Sequence, residues 1–181
     1  MATGGGNAHR SSRSAPDVGA RGVGTQDFTD IEPVFNALRR LVHTLHSASR
    51  DTERRMGVTS AQLFVLTQLR LSPSLSINAL AERTMTHQST VSVVVQRLVD
   101  RRLVKKIRST QDRRRVELTL TPAGTALLRR APEVMQLRLV RAIKELASTD
   151  REVLARAVSQ LVTSVGGDAE APATFLFETL R

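Results

Sequence analysis

The hydrophobic period of this chain changes at Leu103. Upstream, Val91, Val94, Val95 and Leu98 stand at i, i+3, i+4 and i+7. That spacing puts one buried face on a helix over roughly residues 87–101. Downstream, Leu103-Val-Lys-Lys-Ile107 and Val116-Glu-Leu-Thr-Leu120 are short alternating stretches around the polar, basic segment Ser109-Thr-Gln-Asp-Arg-Arg-Arg115. Two such stretches read as a β-hairpin with a basic tip. A two-stranded hairpin is marginal by itself and a short helix little better, so both must pack on neighbouring helices.

Those neighbours are legible from caps and stripes. A first helix is expected from Thr29 or Asp30, where Thr29-Asp-Ile-Glu32 resembles a capping box and Pro33 is tolerated in the first turn. Its apolar stripe is Ile31, Val34, Phe35, Leu38, Leu41, Val42 and Leu45. A second helix starts at the box Thr59-Ser-Ala-Gln62, buries Leu63, Leu66 and Leu69, and ends before Pro73. Ser76 caps a short helix with Ile77, Leu80 and Ala81 inward, and a turn near Thr84–Thr86 follows. After the hairpin, Thr121-Pro122 starts a helix expected to run to about Ala147 with a kink at Pro132. Thr149-Asp-Arg-Glu152 is expected to cap a last helix that closes at Gly166-Gly167. Residues 1–27 read as a disordered basic tail. Residues 168–181 read as a second tail, in which the apolar Phe175-Leu-Phe177 is expected to dock on the same domain or on a partner subunit.

Charge narrows the function. The chain of 181 residues has 27 Lys and Arg against 17 Asp and Glu, a net +10. Residues 97–115 alone carry nine basic side chains against Asp100 and Asp112, so most of the excess is local. Like charges this dense point to a polyanionic partner. Cys, Trp and Tyr are absent, which excludes disulfides, thiolate metal sites and cysteine nucleophiles, and leaves no aromatic platform for single strands. No Gly-rich phosphate loop, nucleophile elbow or carboxylate–histidine cluster is present, so neither an enzyme, a cofactor nor a metal is expected. No apolar run reaches the ~20 residues of a membrane span, and a cytoplasmic protein is expected.

Two helices joined by a short turn, the second polar outward, form a helix-turn-helix, and a hairpin directly after it makes the motif winged. The major groove of double-stranded DNA admits one such helix, and residues near its start reach base edges. Gln88, Ser89, Thr90, Ser92, Gln96 and Arg97 have the chemistry for base and phosphate contacts, and Val93 for a thymine methyl. At the hairpin tip, Arg113, Arg114 and Arg115 suit phosphates or a narrow minor groove, with Asp112 bracing the loop. His43 and His46, at i and i+3, are the weak candidates for a small-ligand site; an ordinary half-buried or interface pair is the plainer reading.

The stretch 77–124 resembles the MarR (multiple antibiotic resistance regulator) family of winged-helix transcription factors. The likeness rests on Asp112-Arg-Arg114, Leu120-Thr-Pro-Ala-Gly124 and Gln88-Ser-Thr-Val-Ser92. It implies a mainly α fold with a small β-hairpin wing, spanning residues 28–167. Within that, 57–121 would form the winged helix-turn-helix, and 28–52 and 122–167 would be dimerisation helices. It also implies Arg114 as the minor-groove arginine, a homodimer on a pseudo-palindromic operator, repression, and release by a small-molecule inducer. The alternative class is an architectural DNA binder of low sequence specificity. Four positions depart from the family pattern. Met85 and Arg102 stand where Gly is usual, His87 where a Ser-like cap is usual (with Thr86 as a substitute cap), and Val93 where a basic residue is frequent.

Overall fold

The computed structural model describes residues 29–108, 116–168 and 174–176. Among them the order of elements is α1 (Glu32–Met56), α2 (Ser60–Leu71), α3 (Ile77–Thr84), α4 (Gln88–Asp100), β1 (Val104–Arg108), β2 (Val116–Leu120), α5 (Pro122–Arg129), α6 (Met135–Glu145) and α7 (Ser148–Ser164). The chain is thus mainly helical with one small antiparallel hairpin. Residues up to Leu38 and residues Arg39–Arg181 are separate units. In the first, Pro33 lies in the opening turn of α1, and Ile31, Val34 and Leu38 are exposed. α1 begins at Glu32, inside the Thr29–Glu32 box rather than after it.

The second unit is built around α2. Ten of its twelve residues are buried, Ser60 through Leu69 without a gap. A helix apolar enough to be covered on every side becomes a core axis rather than a surface element. α3, α4, α5, α6 and β2 all pack on it. Its start is the expected capping box. The Gln62 N–H donates to Thr59 Oγ1 and the Thr59 N–H donates to Gln62 Oε1, each at 3.2 Å. Inside, the buried Thr67 hydroxyl donates to the Leu63 carbonyl at 2.8 Å, so no donor is stranded there.

The strands pair in the register Val104↔Leu120 to Arg108↔Val116. Leu118 is fully buried, and its N–H donates to the Leu75 carbonyl at 2.8 Å, which ties the hairpin to the segment before α3. Thr121 then caps α5, accepting from the Gly124 N–H at 3.1 Å while its hydroxyl donates to the Arg102 carbonyl at 2.7 Å. The close approach explains the glycine. A Cβ on Gly124 would stand 2.2 Å from the Leu103 carbonyl oxygen.

Two expectations need correction. The bend at Pro132 is a break: α5 ends at Arg129 and α6 starts at Met135. Pro132 has no N–H to return to Leu128, and its ring disfavours helical backbone at Ala131. The end of α5 tightens instead into Arg130→Leu127 and Ala131→Leu128 bonds. The Thr149 box does not cap α7, which already starts at Ser148. The α6–α7 corner is held by Arg151, whose Nη1 donates to the carbonyls of Lys144 at 3.0 Å and Leu146 at 2.6 Å. One guanidinium there satisfies carbonyls that the end of α6 leaves open. At the far end α7 closes as expected. Gly166 adopts φ +78° and donates to Thr163, and Gly167 donates to Val162. Phe175 is also docked, within its own chain: its ring meets Phe64 edge-on, centroids 6.3 Å apart. Phe177 lies outside the described residues.

Gly124→Ala is expected to lower the unfolding free energy by about 1–3 kcal/mol, because backbone must yield to admit the methyl. Urea unfolding measures this, and an unchanged midpoint would contradict the close packing of α5 on the Leu103 carbonyl.

Candidate nucleic-acid interface

The interface is built from α3, the turn after it, α4 and β1. Ser76 caps α3 by accepting from the Ala79 N–H at 3.2 Å. The turn is made by Met85, in left-handed conformation at φ +51°, where a Gly would be unstrained. Its side chain points away from the core and is 63% exposed, so packing offsets little of that strain. The turn is held by hydrogen bonds instead. The Thr86 N–H donates to the Ala81 carbonyl at 3.0 Å. The buried Thr84 hydroxyl donates to Leu80 at 2.8 Å, and Thr86 Oγ1 donates to Thr84 at 3.0 Å.

That last bond corrects one expectation, because Thr86 does not cap α4. His87 is the N-cap, with extended backbone and no side-chain cap bond. Its Nδ1 lies 3.1 Å from Ser89 Oγ. α4 buries Val91, Val94, Val95 and Leu98 against the core, as its spacing demands. Thr90 is buried too, and this is a second correction: it does not stand on the outward face. It precedes Val94 by four residues and Leu98 by eight, so it shares their side of the helix. Gln88, Ser89, Ser92, Val93 and Gln96 remain exposed, and Arg97 is half-buried.

α4 ends as α3 does. The Arg102 N–H donates to Val99, the Leu103 N–H donates to Leu98, and Arg102 takes φ +56°. A non-glycine residue in that conformation costs about 1 kcal/mol. Arg101 turns back to the start of α2, where Nη1 donates to the Gly57 carbonyl at 2.6 Å. Lys105, Lys106 and Arg108 are exposed along β1, so the strand is cationic beside α4. Sequence reasoning counted these lysines in the charge but gave them no role. The signal that would have separated Lys106 from Lys105 is the strand register. Asp112, Arg113, Arg114 and Arg115 lie outside the described residues.

His43 and His46 are exposed on α1. Neither lines the cavity of about 420 Å³ between α2 and the α5–α6 break, whose walls include Thr67, Arg70, Leu137 and Arg141. Among the described residues no group of three or more His, Asp or Glu is placed to hold a metal ion. No described helix is long and apolar enough to cross a membrane.

A helix-turn-helix carried straight into an antiparallel hairpin, with a polar exposed start to its second helix, defines a winged helix-turn-helix protein. Residues 56–115 match the model of the MarR family. Over 88 residues the chain is 34% identical to the HTH-type transcriptional repressor MdtR of Bacillus subtilis, a match covering 49% of this chain and 57% of that protein. Among solved structures it is similar to a MepR-like protein complexed with pseudoligands, at TM-score 0.51 and 23% identity, covering 77% of this chain and 99% of that one. It is also similar to BpsR of Bordetella bronchiseptica, at TM-score 0.51 and 27% identity, covering 72% and 94%. Residues 56–115 thus form a winged helix-turn-helix similar to that of the MarR family.

Met85→Gly is expected to raise stability by about 1 kcal/mol by releasing the left-handed strain in the turn. Thermal or urea unfolding checks it, with Met85→Ala, which keeps the strain, as the comparison that should gain nothing.

Proposed function

We propose that the protein is a sequence-specific, double-stranded DNA-binding transcriptional regulator, and a repressor. The observation that carries the reading is the exposed row Gln88, Ser89, Ser92 and Val93 at the start of α4, beside the cationic strand β1. Side chains at the start of a helix are the ones that meet base edges when it enters the major groove, and basic side chains beside it meet phosphates. Repression is supported by the likeness to MdtR, a transcriptional repressor.

The working unit is a homodimer. No residue of α6 or α7 is fully buried in its own chain. On α7, Leu154, Val158 and Leu161 are exposed at helical spacing, continued by Val165 at its C-cap, and on α1 Leu38, Leu41 and Val42 are exposed. Apolar stripes of this length are the faces a second copy would cover. A dimer sets two α4 helices on a pseudo-palindrome and gives the localised charge two footprints on one DNA. Regulation by a small molecule is supported by BpsR, whose DNA binding is regulated by 6-hydroxynicotinic acid. The cavity beside the α5–α6 break, walled by Arg70, by Arg141 paired with Glu133, and by apolar side chains, suits a small polar molecule.

The test is binding to a duplex carrying an inverted repeat from the promoter of a regulated gene, against scrambled duplex at the same salt. A preference of about 10³ or more is expected of a specific regulator, and a ratio near one would reassign the protein to architectural DNA binding. Gln88→Ala is expected to weaken the cognate complex by about 1–3 kcal/mol and to relax choice at one base pair. Arg114→Ala is expected to weaken DNA binding while sedimentation still finds the same oligomer. Loss of the oligomer would make that arginine structural.

A further inference from the structure

We infer that Gln96 is a positioning residue, the middle of a polar strut that ties the reading helix to the wing, rather than a reader of bases. Gln96 Nε2 donates to Asp100 Oδ1 at 2.8 Å. On the other side of the same amide, Lys106 Nζ donates to Gln96 Oε1 at 2.8 Å. The chain of groups therefore runs carboxylate, amide, ammonium. The amide dipole is aligned between the two charges, its N–H toward the anion and its oxygen toward the cation. That orientation leaves only one sensible placement of the amide, and each bond polarises the other. Asp100 is one turn beyond Gln96 on α4, and Lys106 is the third residue of β1.

The strut is a direct side-chain link between the exposed faces of α4 and β1. Beneath it α4 runs into β1 through the left-handed turn of Arg102 and the buried Val104. Beyond Val104 every residue of β1 is exposed, so past that point the strand is held through its pairing with β2 rather than by core side chains of its own. A helix in the major groove and a wing beside it must hold a set separation to engage one DNA together. Gln96 and Lys106 are placed to hold it. The inference rests on the DNA-binding reading above for its consequence, but not for the strut itself.

The test uses the full chain with Gln96→Met and Lys106→Met, which keep length and remove the bonds, the double variant, and Lys106→Arg. In the free protein, hydrogen exchange of the β1 and β2 amides should quicken by about three-fold in either single variant, in keeping with an exposed charge-assisted bond. The double variant should add nothing further, and Lys106→Arg should keep most of the protection. On DNA, Gln96→Met should lower affinity by a similar factor for the cognate duplex and for each of its single-base-pair variants, with the salt slope unchanged. Relaxed choice at one base pair would overturn the inference and return Gln96 to base reading. Additive exchange effects would overturn it too, as would wild-type exchange rates in both single variants. If wild-type protein shows no preference among duplexes, the regulator reading fails, and the exchange data alone still decide the strut.

Discussion

The burial of α2 is the constraint on which the other elements depend. An axis covered from Ser60 to Leu69 needs partners on every side, and α3, α4, α5, α6 and β2 supply them. α4 can present polar residues outward because Val91, Val94, Val95 and Leu98 are held on this axis. The hairpin can project because Leu118 and Val104 are buried at its base. Even Phe175, far along the chain, finds its place through an α2 side chain, Phe64. The reading face is thus a by-product of a core that keeps its apolar side chains and leaves polar ones over.

The fold was largely legible because its signals are local. Capping boxes, a proline at the first helical position and paired glycines at a helix end act within a few residues, and Thr59, Thr121 and Gly166-Gly167 all behave as their chemistry requires. The failures are local too. Thr149 and Thr86 are good caps by type, yet α7 already starts at Ser148, ahead of Thr149, and the Thr86 hydroxyl donates to the Thr84 carbonyl instead of accepting from α4. The break at Pro132 follows from its missing N–H and its ring, and the chain resumes as α6 after the buried N-cap Val134.

The exposed face of α4 was legible from the sequence except at Thr90. Helical spacing alone separates Val91, Val94 and Val95 from Ser92 and Val93, but Thr90 sits at the edge of the apolar stripe, where composition cannot assign it a side. Gln96 looked like a base reader because a glutamine on an exposed helix face has that chemistry. One partner, Asp100, is a turn away on the same helix, but the other, Lys106, is brought within reach of α4 by the strand register, which sets it opposite Leu118. Met85 and Arg102 depart from the usual glycines, and both adopt left-handed backbone all the same. The geometry of the motif outlasts the residue type that accommodates it best, at the expense of some strain.

The central claim is that two copies of this reading face act together on one DNA. The most direct measurement is affinity for a cognate inverted repeat whose half-sites are moved apart by half a helical turn and then by a whole one. Recognition helices held by a rigid dimer require half-sites one turn apart, about 34–36 Å, or a multiple of that. The account predicts a sharp loss at both insertions, since the half turn puts the second half-site on the far face of the duplex and the full turn moves it about 34 Å beyond the rigid dimer's spacing. Affinity indifferent to spacing would contradict it.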